Sequence, residues 1–230
     1  MSLDKRPVLV SKSRNDDSPM RKTDQVNLAR VSPEERARIK RTFSALEKRG
    51  VRAFFAADRK SALAVLLQHL PRGAAVAHGS STTLHEIGLV DYLSRPQCGY
   101  RYLNTEWLIE SDPGSRARLR ARRSLESEYF LGSVQALCET GEAIGVDASG
   151  SRQAFYVYGP PHVIWVCGLN KLVPTLADGL RRVREVALPL EDRRIKQAGG
   201  WGSQIGKLVI YESEQPGRIT LILVRQSLGF

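Results

Sequence analysis

A chain of 230 residues, 42% hydrophobic and 26% charged, is long and apolar enough to bury a sizeable core. No apolar stretch approaches bilayer length, and Met1-Ser2-Leu3-Asp4-Lys5-Arg6 lacks the apolar core of a secretory signal, so a cytoplasmic protein without membrane insertion is expected. The net charge of +11, densest at Arg116, Arg118, Arg120, Arg122 and Arg123, invites a nucleic-acid reading. The chain carries no recognisable nucleic-acid-reading motif, however, and arginine-rich solvated helix faces are the commoner outcome. No specific nucleic acid is therefore expected, while an acidic substrate or partner could meet the same arginines.

Residues 1–30 are polar and read as a flexible leader to a single domain spanning 31–230. Ser32-Pro33-Glu34-Glu35 is a helix start, with a serine cap, proline in the first turn and acids behind it. That helix carries Ile39, Phe43 and Leu46 on one face and stops at Gly50. A strand over 51–56, a helix over 61–70 closed by Pro71, a strand over 74–77 and a helix from Thr82 follow. This alternation predicts an α/β sandwich with a mainly parallel sheet.

The next segments read mostly as strands. Runs over 129–137 and 142–146 flank Glu139-Thr140-Gly141, a hairpin-like turn, and a further strand is predicted over 155–158. Residues 163–167 form a near-continuous apolar run, as in a strand buried on both faces. After Gly168-Leu169-Asn170-Lys171, Pro174 starts a helix containing Leu176, Leu180 and Val183. Residues 207–211 and 219–224 read as a closing hairpin around Gln215-Pro216-Gly217.

The chemistry concentrates where the 74–77 strand meets its helix. Gly79 permits close backbone approach, and Ser80, Ser81, Thr82 and Thr83 add hydroxyls beside the unpaired N–H groups of a helix start. Such a turn can cup a carboxylate or phosphate, or it can merely cap a buried helix. Glu139, beside Thr140 and Gly141, could be a nucleophile or base if burial raised its pKa; otherwise it is a turn acid. Arg152 could fork onto an anion or pair internally with Asp147. Asn170 and Lys171 fall at the same carboxyl edge as the serine-rich turn. His78 and His85 flank that turn without a third ligand, so no metal is expected. Cys98, Cys138 and Cys167 are too dispersed for a disulfide framework or an iron–sulfur cluster.

Taken together, these segments resemble the LUD (lactate-utilisation) domain family. His78-Gly79-Ser80-Ser81-Thr82-Thr83-Leu84-His85-Glu86-Ile87-Gly88-Leu89 is similar to its G-x-S-x-T-L-x-E-I-G-L signature. The run ending in Glu139-Thr140-Gly141 resembles its E-T-G turn. Asp147, Gly150, Ser151 and Arg152 resemble its D-G-x-G-N-R loop, with Ser151 where asparagine is usual. Gly159-Pro160-Pro161-His162-Val163-Ile164 and Gly168-Leu169-Asn170-Lys171-Leu172-Val173 resemble its G-P-x-x-V-I and G-x-N-K-I-V elements.

The resemblance implies a three-layer α/β sandwich of the ribose-5-phosphate isomerase, glucosamine-phosphate deaminase and CoA-transferase group, with additional β-hairpins. It also implies a role in lactate or related hydroxy-acid metabolism, beside iron–sulfur oxidoreductase subunits that oxidise lactate to pyruvate. The convergence of the Gly79–Thr83 turn, Arg152 and Lys171 at one sheet edge points to a small anionic metabolite as ligand. Many relatives carry a cysteine cluster after the Lys171 helix. This chain has Gln197-Ala198-Gly199-Gly200-Trp201-Gly202-Ser203 there, so no intrinsic cofactor or iron–sulfur cluster is expected. Two alternatives stand beside metabolite binding. One is a stand-alone enzyme using Glu139 on a CoA-linked or phosphorylated acid. The other is a non-catalytic docking subunit of a redox complex; self-association into a homo-oligomer is open in every case.

Overall fold

Local signals set the first elements of the computed structural model, which describes residues 31–230; the expected leader, 1–30, lies outside the described residues. Ser32 Oγ accepts the Glu35 N–H at 3.2 Å and so caps α1 (Pro33–Lys48). Gly50 then turns the chain at φ 80°, where a Cβ would lie 2.0 Å from the Glu214 carbonyl oxygen. Strand β1 (Arg52–Ala56) leads to α2 (Arg59–Gln68), opened by a reciprocal Asp58–Ser61 capping box. Next come β2 (Ala75–His78), α3 (Thr82–Glu86), α4 (Leu89–Leu93), β3 (Arg101–Tyr102), α5 (Asn104–Leu108) and α6 (Pro113–Leu125). The chain continues through β4 (Tyr129–Gly132), β5 (Ala136–Cys138), β6 (Ala143–Asp147), α7 (Gln153–Val157), β7 (His162–Gly168) and β8 (Leu172–Val173). It ends with α8 (Leu176–Arg182), α9 (Leu188–Gln197), β9 (Lys207–Tyr211) and β10 (Ile219–Val224).

Six strands form one sheet in the order β1-β10-β7-β4-β2-β3, and every pairing in it is parallel. Its two faces bury different clusters. Val163, Trp165 and Cys167 of β7 join Ile39 and Leu46 of α1, with Phe155 and Tyr156 of α7. Ile164 and Val166 point the other way, to Leu66 of α2, Leu84 of α3 and Leu93 of α4. This period-two division is why the 163–167 run is apolar throughout. A second sheet, ordered β8-β5-β6-β9, packs Ala136 and Ile144 against Val183. Within it β5 and β6 form the expected hairpin around Glu139-Thr140-Gly141, closed by Cys138 N–H to Glu142 O at 2.8 Å. Among the described residues no helix is long and apolar enough to cross a membrane.

Four sequence expectations are corrected. Residues 155–158 are not a strand but lie mostly in α7, because Phe155 and Tyr156, adjacent in sequence, both bury in the same cluster. On a strand they would point to opposite faces. Residues 207–211 and 219–224 are not a hairpin. Strand β9 pairs antiparallel with β6 in the second sheet, whereas β10 inserts parallel between β1 and β7. The reason is burial, since β10 must cover both its faces and only an interior position does so. The 129–137 run splits into β4 and β5, in different sheets, where the Tyr156 hydroxyl accepts the Ser133 N–H at 2.9 Å. The helix expected from Pro174 starts at Leu176, capped by Thr175, whose Oγ1 accepts the Asp178 N–H.

Candidate functional site

Parallel pairing puts the carboxyl ends of β2, β4 and β7 at one edge, so the segments following them converge there. A cavity of about 260 Å³ opens at this edge. Its sheet side is lined by Ser80, Ser81, Thr82 and Thr83 after β2, Ser133 after β4, and Lys171 after β7.

Lys171 ends a 3-10 turn (Leu169–Lys171) and is only 1% exposed. Its Nζ donates to Thr83 Oγ1 and to Ser133 Oγ, both at 3.0 Å. No carboxylate of the described residues forms an ion pair with it. Burial foremost pushes its pKa down to about 8, aided by Arg182 and Arg152 and opposed by Cys167 and Glu86. The side chain thus remains an ammonium through neutral pH, buried among hydroxyls that cannot neutralise it.

Arg152, from the loop after β6, lies across the same edge. Its Nη1 donates to Ser80 O at 2.9 Å and its Nη2 to Val146 O at 2.7 Å. Asp147 stands 3.8 Å from Nη2, and its Oδ2 accepts the Arg152 N–H at 2.7 Å. The internal pair therefore exists, and it also staples the loop to the serine turn. The buried Nε–H is left without a protein partner. The stem of Arg152 explains Gly79, because a Cβ there would lie 2.8 Å from its Cγ and Cδ. Close approach at Gly79 is made by the arginine.

The LUD domain profile matches residues 39–224, most of the chain. The protein belongs to the LUD domain family. A search of curated proteins yields no match. Among solved structures it is similar to a DUF162 family protein from Deinococcus radiodurans, with a TM-score of 0.50 at 12% identity, over 82% of this chain and 97% of that one. At that identity the likeness speaks for the fold alone.

The remaining LUD motif residues divide into those that build the cavity and those that do not. Ser81 spends its hydroxyl capping α3 through the Leu84 N–H, and Thr83 receives Lys171. Asn170 holds the final residues: its Oδ1 accepts the Leu228 N–H at 3.0 Å and its Nδ2 donates to Gly229 O at 3.1 Å. Glu86 accepts the Gly229 N–H at 2.8 Å, so this segment is latched across Thr83 and Lys171 and brings Phe230 to the cavity. His78 is sequestered. Its Nδ1 meets Gly79 O and its Nε2 meets the Tyr102 hydroxyl, each at 2.8 Å. Since Gly79 O can only accept, Nδ1 carries the proton. Burial foremost pushes its pKa down to about 4, so it is uncharged at neutral pH. Among the described residues no group of three His, Cys, Asp or Glu side chains is placed to hold a metal.

Glu139, Thr140 and Gly141 line no part of the cavity. Glu139 is clasped by Arg38 Nε at 2.5 Å and Arg41 Nη2 at 3.0 Å, and Arg49 Nε donates to Thr140 O at 3.0 Å, docking the hairpin onto α1. Gly141, at φ 97°, leaves room for the Arg49 stem. Glu139→Gln is expected to lower stability by about 1 kcal/mol, as partly exposed pairs do, and to leave ligand affinity unchanged. Thermal denaturation beside a titration separates the two effects. The arginine run of α6 is likewise partly neutralised, Arg122 by Glu126 and Arg123 by Glu126 and Glu106.

Sequence reasoning missed Ser133, Gln135 and the α9 residues of the cavity lining. Ser133 sat inside an apparent strand run, where a polar residue after Gly132 is the only mark that the chain leaves the sheet.

Proposed function

We propose that this LUD domain binds a small organic anion at the Lys171 cavity and serves hydroxy-acid utilisation, in keeping with a family associated with lactate. One observation carries the reading: a lysine 1% exposed, lining a cavity, with two hydroxyls and no carboxylate as partners. A buried ammonium without a counter-ion is costly, and an anionic ligand would supply the missing charge. A carboxylate against it gains a charge-assisted hydrogen bond worth about 1.5–3 kcal/mol. Thr83 and Ser133 orient the ammonium.

Calorimetric titration with lactate, pyruvate and inorganic phosphate at low salt tests the reading, and absence of binding by all three would remove it. The pH dependence carries the signature of the lysine. Affinity should be flat below the Lys171 pKa of about 8 and fall about tenfold per pH unit above it, as the ammonium is lost. Titrations between pH 6.5 and 9.5 read this directly. A flat profile over that range would exclude Lys171 as the anchor.

A further inference from the structure

The α9 part of the cavity lining has a different character. Helices α8 and α9 run on from one another through a π-helical segment, Val183–Ala187. The extra residue in a π turn rotates the following face by about 100° relative to the preceding one. Before it and at its first residue, Leu176, Leu180 and Val183 pack on the second sheet. After it, α9 has no fully buried residue at all. Leu188, Glu191 and Ile195, spaced to share one face of α9, line the cavity. Leu188, Ile195 and Phe230 are half-buried and belong to none of the hydrophobic clusters. Their side chains line the same cavity as the Lys171 ammonium.

Charge bounds the ligand from the other side. The cavity is lined by three cations, Arg152, Lys171 and Arg194, and two carboxylates, Asp147 and Glu191. Glu191 holds Arg194 through two hydrogen bonds of 2.8 and 2.7 Å, and Asp147 stands beside Arg152. Among these lining side chains one positive charge is left over, at Lys171, which matches a monoanion better than a phosphate dianion. The volume of about 260 Å³ equals that of about nine waters, more than a three-carbon acid fills.

We infer that the cavity selects a monocarboxylic acid bearing an apolar side chain larger than methyl, its carboxylate at Lys171 and its side chain against Leu188 and Ile195. This rests on the anion-binding reading and narrows it to a substrate class. Burial of apolar carbon supplies the selectivity, about fourfold in affinity for each methylene removed from water. The Glu191–Arg194 pair, being internally neutral, borders this wall without competing for the carboxylate.

The test is a titration of the full chain with 2-hydroxy acids whose side chains grow from methyl through isopropyl and isobutyl to benzyl, with inorganic phosphate as a further arm. The isobutyl acid is expected to bind at least tenfold more tightly than the methyl acid. Leu188→Ser, at a partly exposed position of α9, should bring the two within about threefold, mainly by weakening the isobutyl acid. Three results would overturn the inference. If the methyl acid binds as tightly as the larger ones and binds more weakly in Lys171→Met, the anion site stands and the apolar selectivity falls. If phosphate binds more tightly than every acid, the monocarboxylate class falls. If no acid binds the unaltered chain, the underlying reading fails and takes the inference with it.

Discussion

Replacing Lys171 with methionine is expected to weaken anion binding by one to two orders of magnitude, about 10- to 150-fold, while raising the melting temperature of the empty protein. Burial moves this lysine from its ordinary value of 10.5 to about 8, corresponding to about 3 kcal/mol withheld from folding whenever the ammonium is charged. The sign follows from proton binding. Between pH 8 and 10.5 the unfolded chain binds the proton and the folded one does not, so stability contributed by this site rises across that window and is lowest below it. Methionine keeps the length and removes the charge. Thr83 and Ser133 lose a donor, which offsets part of the gain, leaving about 1 kcal/mol, or a rise of about 2–4 °C. Calorimetry should show the largest advantage of the variant at pH 7 and none above pH 10.5. Binding should weaken by about 10- to 150-fold through loss of the charged hydrogen bond. A folded variant that melts lower at pH 7 and binds as tightly would contradict both arguments.

Gly132→Ala is expected to be among the most damaging single-methyl additions in the chain. A Cβ at that position would lie 1.5 Å from the Tyr156 hydroxyl oxygen and 2.6 Å from its Cζ. Tyr156 cannot swing aside, being fully buried with its ring against Phe130 and Trp165. Its hydroxyl also accepts the Ser133 N–H and donates to Ser133 O at 3.2 Å, so displacement would unseat the serine that receives Lys171. Overpacking with loss of those bonds should cost about 3 kcal/mol, a drop of about 6–12 °C in melting temperature. Tyr156→Phe removes the clashing oxygen but leaves the ring carbon, so the double variant should recover part of the loss. Denaturant titration of the four-member cycle measures the coupling. Additivity would show that the contact is not the cause.

Features governed by neighbours a few positions apart were legible. The Ser32 cap, the hairpin at Glu139-Thr140-Gly141 and the strand-turn-helix at the serine turn all depend on local spacing, and each lies where that spacing predicts. Where two local patterns fit one segment, the prediction failed. Phe155 and Tyr156 favour a strand by residue type, yet the shared cluster beneath them makes a helix. The turn between β9 and β10 suggested a hairpin, although the alternating burial of β10 on two faces demanded an interior position in the other sheet.

The sequence alone determined the family likeness, the parallel α/β plan and the placing of the serine turn and Lys171 at one sheet edge. Tertiary structure alone decided what those residues do there. Lys171 meets Thr83 from 88 positions away, Arg152 meets Ser80 across 72, and Arg38 takes Glu139 across 101. No local pattern encodes such meetings. Whether a charge is buried, paired or left facing a cavity depends on which distant groups the packed sheet brings beside it, and that sets both its pKa and its use.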